Sequence, residues 1–149
     1  EHDGRVSSCR FSADGLRLLT ASNDGTAKVW EVSSGELLQD WEGTSGICFA
    51  DFSPDGSMLV TAEKNGTASV VDASTGECRF KLSSHESRVA HARFSPHGKA
   101  LLTASDDGSC RVWGAQKGRR LRTFLGHEGA VLSATWAPPE AAKWPWAEM

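Results

Sequence analysis

The chain repeats itself every 41 to 42 residues, and this period constrains its fold more than any other feature. A shift of 41 carries Phe11-Ser12 onto Phe52-Ser53, and a further shift of 42 carries that pair onto Phe94-Ser95. The same two shifts align Thr20-Ala21, Thr61-Ala62 and Thr103-Ala104. Repeats of this length build arrays of similar supersecondary units. The chain is therefore expected to fold as three units in series.

Three turn sequences recur inside each unit and divide it into four short segments. In Ser53-Pro54-Asp55-Gly56, proline presets one backbone angle and glycine accepts the positive φ that follows. Asp24-Gly25 favours a two-residue hairpin. The third turn is Ser34-Gly35, Thr75-Gly76 or Lys117-Gly118. Short strands at this spacing leave no room for a crossover helix, so we predict an all-β fold of four-stranded antiparallel sheets.

Apolar residues are expected on both faces of each sheet. Leu59 and Val60 are adjacent, as are the corresponding residues of the other units, and adjacent side chains in a strand point to opposite faces. Ile47 and Phe52 lie five positions apart, and this odd spacing also predicts opposite faces. A sheet with one face in water would not keep both faces apolar. Each sheet is therefore expected to be covered on both sides.

Composition excludes several classes of function. The 149 residues contain 39% hydrophobic and 23% charged residues, which is typical of a globular domain. The net charge of −3 argues against a broad nucleic-acid-binding surface. No stretch approaches the 18 or so apolar residues of a membrane-spanning helix.

The four cysteines favour a reducing location. Cys9, Cys48, Cys78 and Cys110 are at least 30 positions apart and form no Cys-x-x-Cys pair. This spacing predicts neither a disulfide framework nor a zinc site. We expect an intracellular protein, cytoplasmic or part of a cytoskeletal, ciliary or nuclear complex, with no metal or cofactor.

Several motifs together resemble the WD40 repeat. Thr103-Ala104-Ser105-Asp106-Asp107-Gly108 followed by Val112-Trp113 looks like the centre of such a repeat, and Gly126-His127 looks like its opening. The resemblance covers about residues 1–137. It implies β-propeller blades whose strands a to d run outward from a central channel. The blades would lie at about 4–42, 45–83 and 87–126, with a fourth begun at 129–137.

The resemblance also implies a structural hydrogen-bond network in each blade, formed by histidine, serine or threonine, aspartate and tryptophan. Its members would be His2, Ser22, Asp24 and Trp30 in the first blade, and His85, Ser105, Asp107 and Trp113 in the third. A catalytic triad is the alternative interpretation of such residues. We reject it because they recur in each blade and share their network with tryptophan.

The second unit departs from this pattern. It has Gly43, Glu63, Asn65 and Val71 where the network residues would stand. Its stability would then depend on packing and strand pairing alone, and it is expected to be the softest unit. The Trp-Asp dipeptide that names the family is also altered, to Trp30-Glu31, Val71-Asp72 and Trp113-Gly114.

Partners of this family usually dock on the d–a and b–c loops around the channel. By position these loops would present Arg5, Asn23, Lys64, Arg88 and Asp106. Arg5, Lys64 and Arg88 are predicted to form a basic arc that faces an acidic peptide; the alternative is that they are only solvated loop ends. A second basic cluster, Lys117, Arg119, Arg120 and Arg122, is expected to protect a sheet edge.

Three functions remain open from the sequence. The leading one is a non-catalytic protein-interaction scaffold, and a structural subunit of a cytoskeletal or ciliary assembly is the second. A propeller enzyme is the third, with the non-repeating His91 and Asp51 as its best candidates. Because propellers close with four to eight blades, the three blades are expected to be part of a larger propeller, completed by the same or another chain. Residues 138–149 lose the repeat and are expected to be a divergent tail or linker.

Overall fold

The computed structural model describes residues 1–83 and 85–137, and that part of the chain contains twelve β-strands. The strands are β1 (Val6–Phe11), β2 (Arg17–Ser22), β3 (Thr26–Glu31), β4 (Leu37–Glu42), β5 (Ile47–Phe52), β6 (Met58–Glu63), β7 (Thr67–Asp72), β8 (Cys78–Ser83), β9 (Val89–Phe94), β10 (Ala100–Ser105), β11 (Cys110–Gly114) and β12 (Arg120–Phe124).

The strands form three separate four-stranded antiparallel sheets. Each sheet takes four consecutive strands in chain order: β1 to β4, β5 to β8 and β9 to β12. No helix occurs in the described residues. The predicted all-β fold of propeller-type blades is confirmed. The first strands of the three sheets, β1, β5 and β9, lie next to one another, so they form the inner side of the array.

The recurrent turn sequences act as predicted in setting the strand connections. Between β5 and β6, the Ser53 hydroxyl donates to Asp55 Oδ1 at 2.6 Å and accepts the Met58 N–H at 2.9 Å. Between β11 and β12, Gly118 has φ +66°, and a Cβ there would lie 2.7 Å from the Phe80 ring of the neighbouring sheet. A larger residue at Gly118 would therefore strain both the turn and the contact between sheets.

Two apolar interfaces hold the three sheets face to face. Leu19 and Val29 of the first sheet pack against Leu59 and Val71 of the second. On the opposite face of the second sheet, Val60 packs in a cluster that includes Val70, Leu82, Val89, Leu101 and Trp113. The adjacent residues Leu59 and Val60 thus face opposite neighbours, as predicted. Each fully buried leucine contributes about 1.5–3 kcal/mol to this packing.

The prediction that Ile47 and Phe52 face opposite ways was wrong. Both side chains belong to the cluster between the first and second sheets. The pairing of β5 with β6 shifts register between Ile47 and Phe49. A β-bulge adds one residue to the strand, and this restores the even spacing that places both side chains on one face.

The outer flank of the first sheet remains exposed. The Phe11 side chain is 64% exposed, whereas Phe52, at the same position in the covered second sheet, is 7% exposed. Leu16 and Val32 are exposed on the same sheet. The first sheet therefore presents an apolar face of the kind that its neighbour buries.

Residues 129–137, predicted as the innermost strand of a fourth unit, form no β-ladder in the described chain. They nevertheless follow the third sheet: the Val131 N–H donates to the Ser105 carbonyl at 2.9 Å. Ala134 and Trp136 pack on its outer apolar cluster. A strand assignment requires a hydrogen-bonded partner strand, and none of the described residues supplies one. The predicted tail, residues 138–149, lies outside the described residues.

Candidate functional site

The first sheet contains a polar network centred on a threonine. Thr20 Oγ1 lies 2.7 Å from His2 Nε2 and accepts the Trp30 indole N–H at 2.9 Å. The other nitrogen of His2, Nδ1, lies 2.8 Å from Thr26 Oγ1 and 3.3 Å from Asp24 Oδ2. The network ties the segment before β1 to strands β2 and β3.

The third sheet repeats this arrangement with a shorter contact between histidine and aspartate. Thr103 Oγ1 lies 2.7 Å from His85 Nε2 and accepts the Trp113 indole N–H at 2.9 Å. His85 Nδ1 lies 2.8 Å from Asp107 Oδ2. The carboxylate of Asp107 assigns the proton of a neutral His85 to Nδ1, so Nε2 accepts the threonine hydroxyl.

The threonines replace the serines predicted for these networks. Ser22 and Ser105 instead accept the backbone N–H of Asp24 and Asp107, both at 3.1 Å. They hold the turn between the second and third strands of their sheets and do not contact the histidine or tryptophan. Thr20 and Ser22 are two positions apart on β2 and therefore point to the same face, so position in the repeat does not distinguish them.

Burial and hydrogen bonding set the charge states in the third network. Burial opposes ionisation of Asp107, but hydrogen bonds from Ser109 and His85 outweigh it and hold the pKa of the carboxyl well below its usual range. Burial lowers the pKa of His85 and Asp107 only partly offsets it, so the ring is neutral near pH 7.

The sequence of contacts Asp107–His85–Thr103 has the atom types of a catalytic triad but not its access. Thr103 is fully buried, and its oxygen is already shared between His85 and Trp113. A nucleophile must reach a substrate carbonyl, and this hydroxyl cannot. The network is structural.

The second sheet lacks the histidine and tryptophan and has a hydrogen-bond network centred on Glu63 in their place. Glu63 is fully buried, and its Oε2 accepts the backbone N–H and the hydroxyl of Thr44 at 2.9 and 2.6 Å. Its Oε1 accepts the Ser69 hydroxyl at 2.8 Å. Asn65 donates to Thr44 Oγ1 at 2.8 Å. The expectation that this sheet relies on packing and strand pairing alone was wrong, because a buried carboxylate links the segment before β5 to β6 and β7.

The residues predicted for partner binding lie at one end of the sheets, which we call the loop face: Arg5, Asn23, Lys64, Arg88 and Asp106. Neighbouring units meet there closely. A Cβ at Gly46 would lie 2.8 Å from the Asn23 carbonyl oxygen and 3.1 Å from Lys64 Cδ. Arg88 Nε and Nη2 donate to the Asp106 carboxylate at 2.8 and 3.2 Å. Arg88 is thus neutralised by Asp106, while Arg5 and Lys64 are exposed.

His91 and Asp51 do not form a joint site. The His91 ring packs against the Phe49 ring at a tilt of 41°, with centroids 4.1 Å apart. Asp51 Oδ2 accepts Arg93 Nε at 2.9 Å. Burial, followed by the charges of Arg93 and Arg10, lowers the pKa of His91 to about 4. Such a weak base is poorly suited to general-base catalysis near neutral pH.

The described part of the chain contains no candidate metal site and no candidate membrane-spanning helix. No group of three or more His, Cys, Asp or Glu side chains is placed to hold a metal ion there. All four cysteines lie among the described residues and all are unpaired thiols. Within residues 1–83 and 85–137, no helix has the length and apolarity to cross a membrane.

The comparison with protein families matches most of the chain. The model of the "WD domain, G-beta repeat" family matches residues 1–31, 35–72 and 76–114. The second segment begins before β4 and ends with β7, and the third begins before β8 and ends with β11. These two segments are therefore offset from the sheets by one strand, so that each of them joins two neighbouring sheets, whereas the first segment contains β1 to β3 of the first sheet alone.

Two curated proteins illustrate the similarity. Guanine nucleotide-binding protein subunit beta-5b of Danio rerio is 46% identical over 44 residues, which cover 30% of this chain and 11% of that protein. WD repeat-containing protein 38 of Homo sapiens is 53% identical over 38 residues, covering 26% of this chain and 12% of that protein. The matched segments thus span only about a tenth of either relative.

Solved structures show the same fold. The crystal structure of the RRP9 WD40 repeats and the structure of U3-55K each match with a TM-score of 0.83 at 20% identity. The match covers 87% of this chain, and 41% and 42% of those chains respectively. The chain therefore spans less than half of either propeller structure.

Proposed function

Because the chain belongs to the WD40-repeat family, we propose that it is a non-catalytic scaffold that binds other proteins through its loop face. The polar network of the third sheet is buried and that of the first sheet is partly buried, and both tie strands of one sheet together. The exposed charged groups include Arg5 and Lys64 at one end of the sheets.

The observation that carries this proposal is the continuity of the loop face. The close approach of Gly46 to Asn23 and Lys64 joins the loops of the first two sheets. Gly66 of the second unit approaches the His85 and Ser87 carbonyl oxygens closely, and the Arg88–Asp106 pair lies at the same end of the third sheet. A rigid surface assembled from several loops is how many folds present a binding site.

The charge of this face favours a partner segment with acidic residues. Arg5 and Lys64 are exposed, and no carboxylate of the described residues forms an ion pair with either. Carboxylates of a partner would form charge-assisted hydrogen bonds with them. Arg88 contributes less than predicted, because Asp106 already occupies its guanidinium group.

A charge-reversal experiment tests this function. Arg5→Glu/Lys64→Glu should lose the proteins that chemical crosslinking and affinity purification recover with the wild-type chain. Lys81→Glu is the matched control, since Lys81 is exposed on the outer strand β8, away from the loop face. Recovery of the same proteins with all three chains, at equal unfolding midpoints, would refute binding at the loop face.

The exposed flank of the first sheet supports a larger propeller. We infer that a further blade, from the same or another chain, covers Phe11, Leu16 and Val32 as the first sheet covers Phe52. Apolar faces of this kind are otherwise prone to association. Sedimentation velocity should show concentration-dependent association that Phe11→Ser/Val32→Ser reduces. A wild-type chain that is monomeric at every concentration would contradict this inference.

The four thiols support a reducing, intracellular location. Cys9 and Cys78 are exposed and unpaired, and they lie on β1 and β8 of different sheets. Exposed unpaired thiols persist where glutathione and thioredoxin keep them reduced. Fractionation of cells that express a tagged protein tests this location, and recovery from the medium would refute it.

A further inference from the structure

In the second sheet, the carboxylate of Asp72 at the end of β7 stabilises the turn between β7 and β8. Asp72 Oδ1 accepts the backbone N–H of Ser74 and Thr75 at 3.0 and 3.1 Å, and the Ser74 hydroxyl at 2.7 Å. Its Oδ2 accepts Arg79 Nη2 at 2.6 Å. These bonds hold the pKa of Asp72 well below its usual range, so the group is a carboxylate at any physiological pH.

The third sheet lacks this carboxylate. Gly114 ends β11 at the position where Asp72 ends β7. The turn amides that correspond to Ser74 and Thr75 are those of Gln116 and Lys117. Neither amide donates to any residue in the part of the chain that the structure describes. Two neighbouring backbone donors thus have no acceptor among the described residues.

A cavity of about 270 Å³ lies at this turn. We call it the turn pocket, defined by Lys99, Gly114, Gln116, Lys117, Arg119 and Leu121. Leu121 gives it an apolar wall, and Lys99, Lys117 and Arg119 give it positive charge. None of the described residues that line it is acidic.

The charge of the turn pocket reverses the charge of the other two sheets at this place. Arg119 stands where the second sheet has Glu77 and the first has Glu36. Gly114 stands where the other two sheets have an acidic residue, and Arg119 stands where they have glutamate. Both differences make this turn of the third sheet more positively charged. Together they convert a turn that holds its own carboxylate into a site that attracts one.

The turn pocket would stay open beside a further blade. The equivalent positions of the second sheet, Ser74, Thr75, Glu77 and Arg79, remain exposed although the third sheet packs against that sheet. Completing the propeller is therefore compatible with access to the pocket from outside.

We propose that the turn pocket binds a carboxylate from an acidic segment of a partner protein. The aspartate or glutamate side chain accepts the N–H groups of Gln116 and Lys117, as Asp72 accepts those of Ser74 and Thr75, and it pairs with Arg119. This site lies at the opposite end of the sheets from the loop face, because alternate turns of an antiparallel sheet lie at opposite ends. It does not depend on the function proposed for the loop face.

Two soluble peptides serve as probes: a glycine-rich peptide that contains three aspartates, and the same peptide with asparagine at those positions. In ¹⁵N NMR titrations of the whole chain, the aspartate peptide should shift the amide signals of Gln116 and Lys117, and the asparagine peptide should not. Equal shifts with both peptides would overturn the proposal. Inorganic phosphate that binds as tightly as the aspartate peptide would also overturn it, because the site would then be a general anion site.

Gly114→Asp supplies the carboxylate from within and should weaken aspartate-peptide binding at least tenfold. A Cβ at Gly114 meets only the Arg119 carbonyl oxygen, at 3.8 Å, so the substitution fits the backbone. Unchanged affinity in a folded Gly114→Asp chain would refute the site.

Arg119→Gln and Arg122→Gln form a matched pair that does not depend on Gly114→Asp folding. Arg122 is exposed on β12, the strand that Arg119 immediately precedes, and lies outside the pocket. Arg119→Gln should weaken binding several-fold and Arg122→Gln should leave it unchanged; equal losses would indicate diffuse charge and refute the pocket. Arg5→Glu/Lys64→Glu should bind the peptide normally at the turn pocket, which separates this proposal from that of the loop face.

Discussion

The Thr103 hydroxyl joins His85 to Trp113, whereas the hydroxyl of Thr61, at the same place in the second sheet, has no hydrogen-bond partner in the described structure. Both side chains are fully buried. The difference arises because Gly43 and Val71 replace the histidine and tryptophan in the second sheet. Threonine at this position is thus a hydrogen-bonded member of the network in the third sheet and an unmatched buried polar group in the second.

Thr103→Val should strongly destabilise the chain. Valine keeps the shape of threonine but leaves the Trp113 N–H and His85 Nε2 without a partner in a buried place. Each such loss costs about 1–3 kcal/mol, so the two together should lower the free energy of unfolding by about 2–6 kcal/mol. Urea unfolding monitored by tryptophan fluorescence measures the change.

Thr61→Val should have the opposite sign. Its hydroxyl is desolvated without compensation, so an apolar methyl group in its place should raise the free energy of unfolding by up to about 1 kcal/mol. The same urea titration checks it. A loss as large as that of Thr103→Val would mean that Thr61 has a partner, such as bound water.

The sequence predicted the sheets well because turn chemistry and strand alternation are local properties. It could not distinguish Thr20 from Ser22 as the network hydroxyl, since both point to the same side of β2. One signal was present: the threonine recurs in all three units, whereas the serine becomes Glu63 in the second. The bulge in β5 was also missed, because it depends on the pairing of two strands rather than on one.

The side-chain contacts at the loop face also could not be predicted from the sequence. Position in the repeat placed Arg88 and Asp106 at one end of the third sheet, but the two hydrogen bonds between them depend on side-chain geometry. The loss of aspartate at Gly114 was visible in the sequence. Its consequence was not, because an unmatched turn amide is a property of the folded backbone.

Glu63→Ala should destabilise the second sheet despite removing a buried charge. The Ser69 hydroxyl and the Thr44 N–H lose their acceptor, and a cavity remains. We expect the free energy of unfolding to fall by about 2–3 kcal/mol. Amide hydrogen exchange should accelerate first in β6 and β7. Glu42→Ala, at an exposed residue, is the control and should change neither quantity.

The four thiols should react with Ellman's reagent at two rates. Cys9 and Cys78 are exposed, whereas Cys48 and Cys110 are half-buried. Burial also raises the pKa of the Cys48 and Cys110 thiols, which lowers their thiolate fractions at pH 8. Two thiols should therefore react fast in the folded chain and four in denaturant. Fewer than four in denaturant, without reductant treatment, would reveal a disulfide and contradict the reduced state.

His91→Gln should flatten the dependence of stability on pH between about 6.5 and 4. The unfolded chain binds a proton at an ordinary histidine pKa of about 6.5, but folded His91 binds it only near pH 4. The unfolded state therefore holds more protons in this window, and stability falls as the pH falls.

The physical cause lies in the groups around the ring. Burial against Phe49 and the charges of Arg93 and Arg10 disfavour the imidazolium, and Asp51 opposes them only weakly because Arg93 binds it. Urea unfolding at several pH values should give a shallower slope for His91→Gln, by up to about 1 kcal/mol per pH unit after allowance for partial exposure. His97→Gln, on an exposed turn, should follow the wild-type curve. Parallel curves for His91→Gln and wild type would show that the ring titrates alike in both states, and that burial against Phe49 does not hold it neutral.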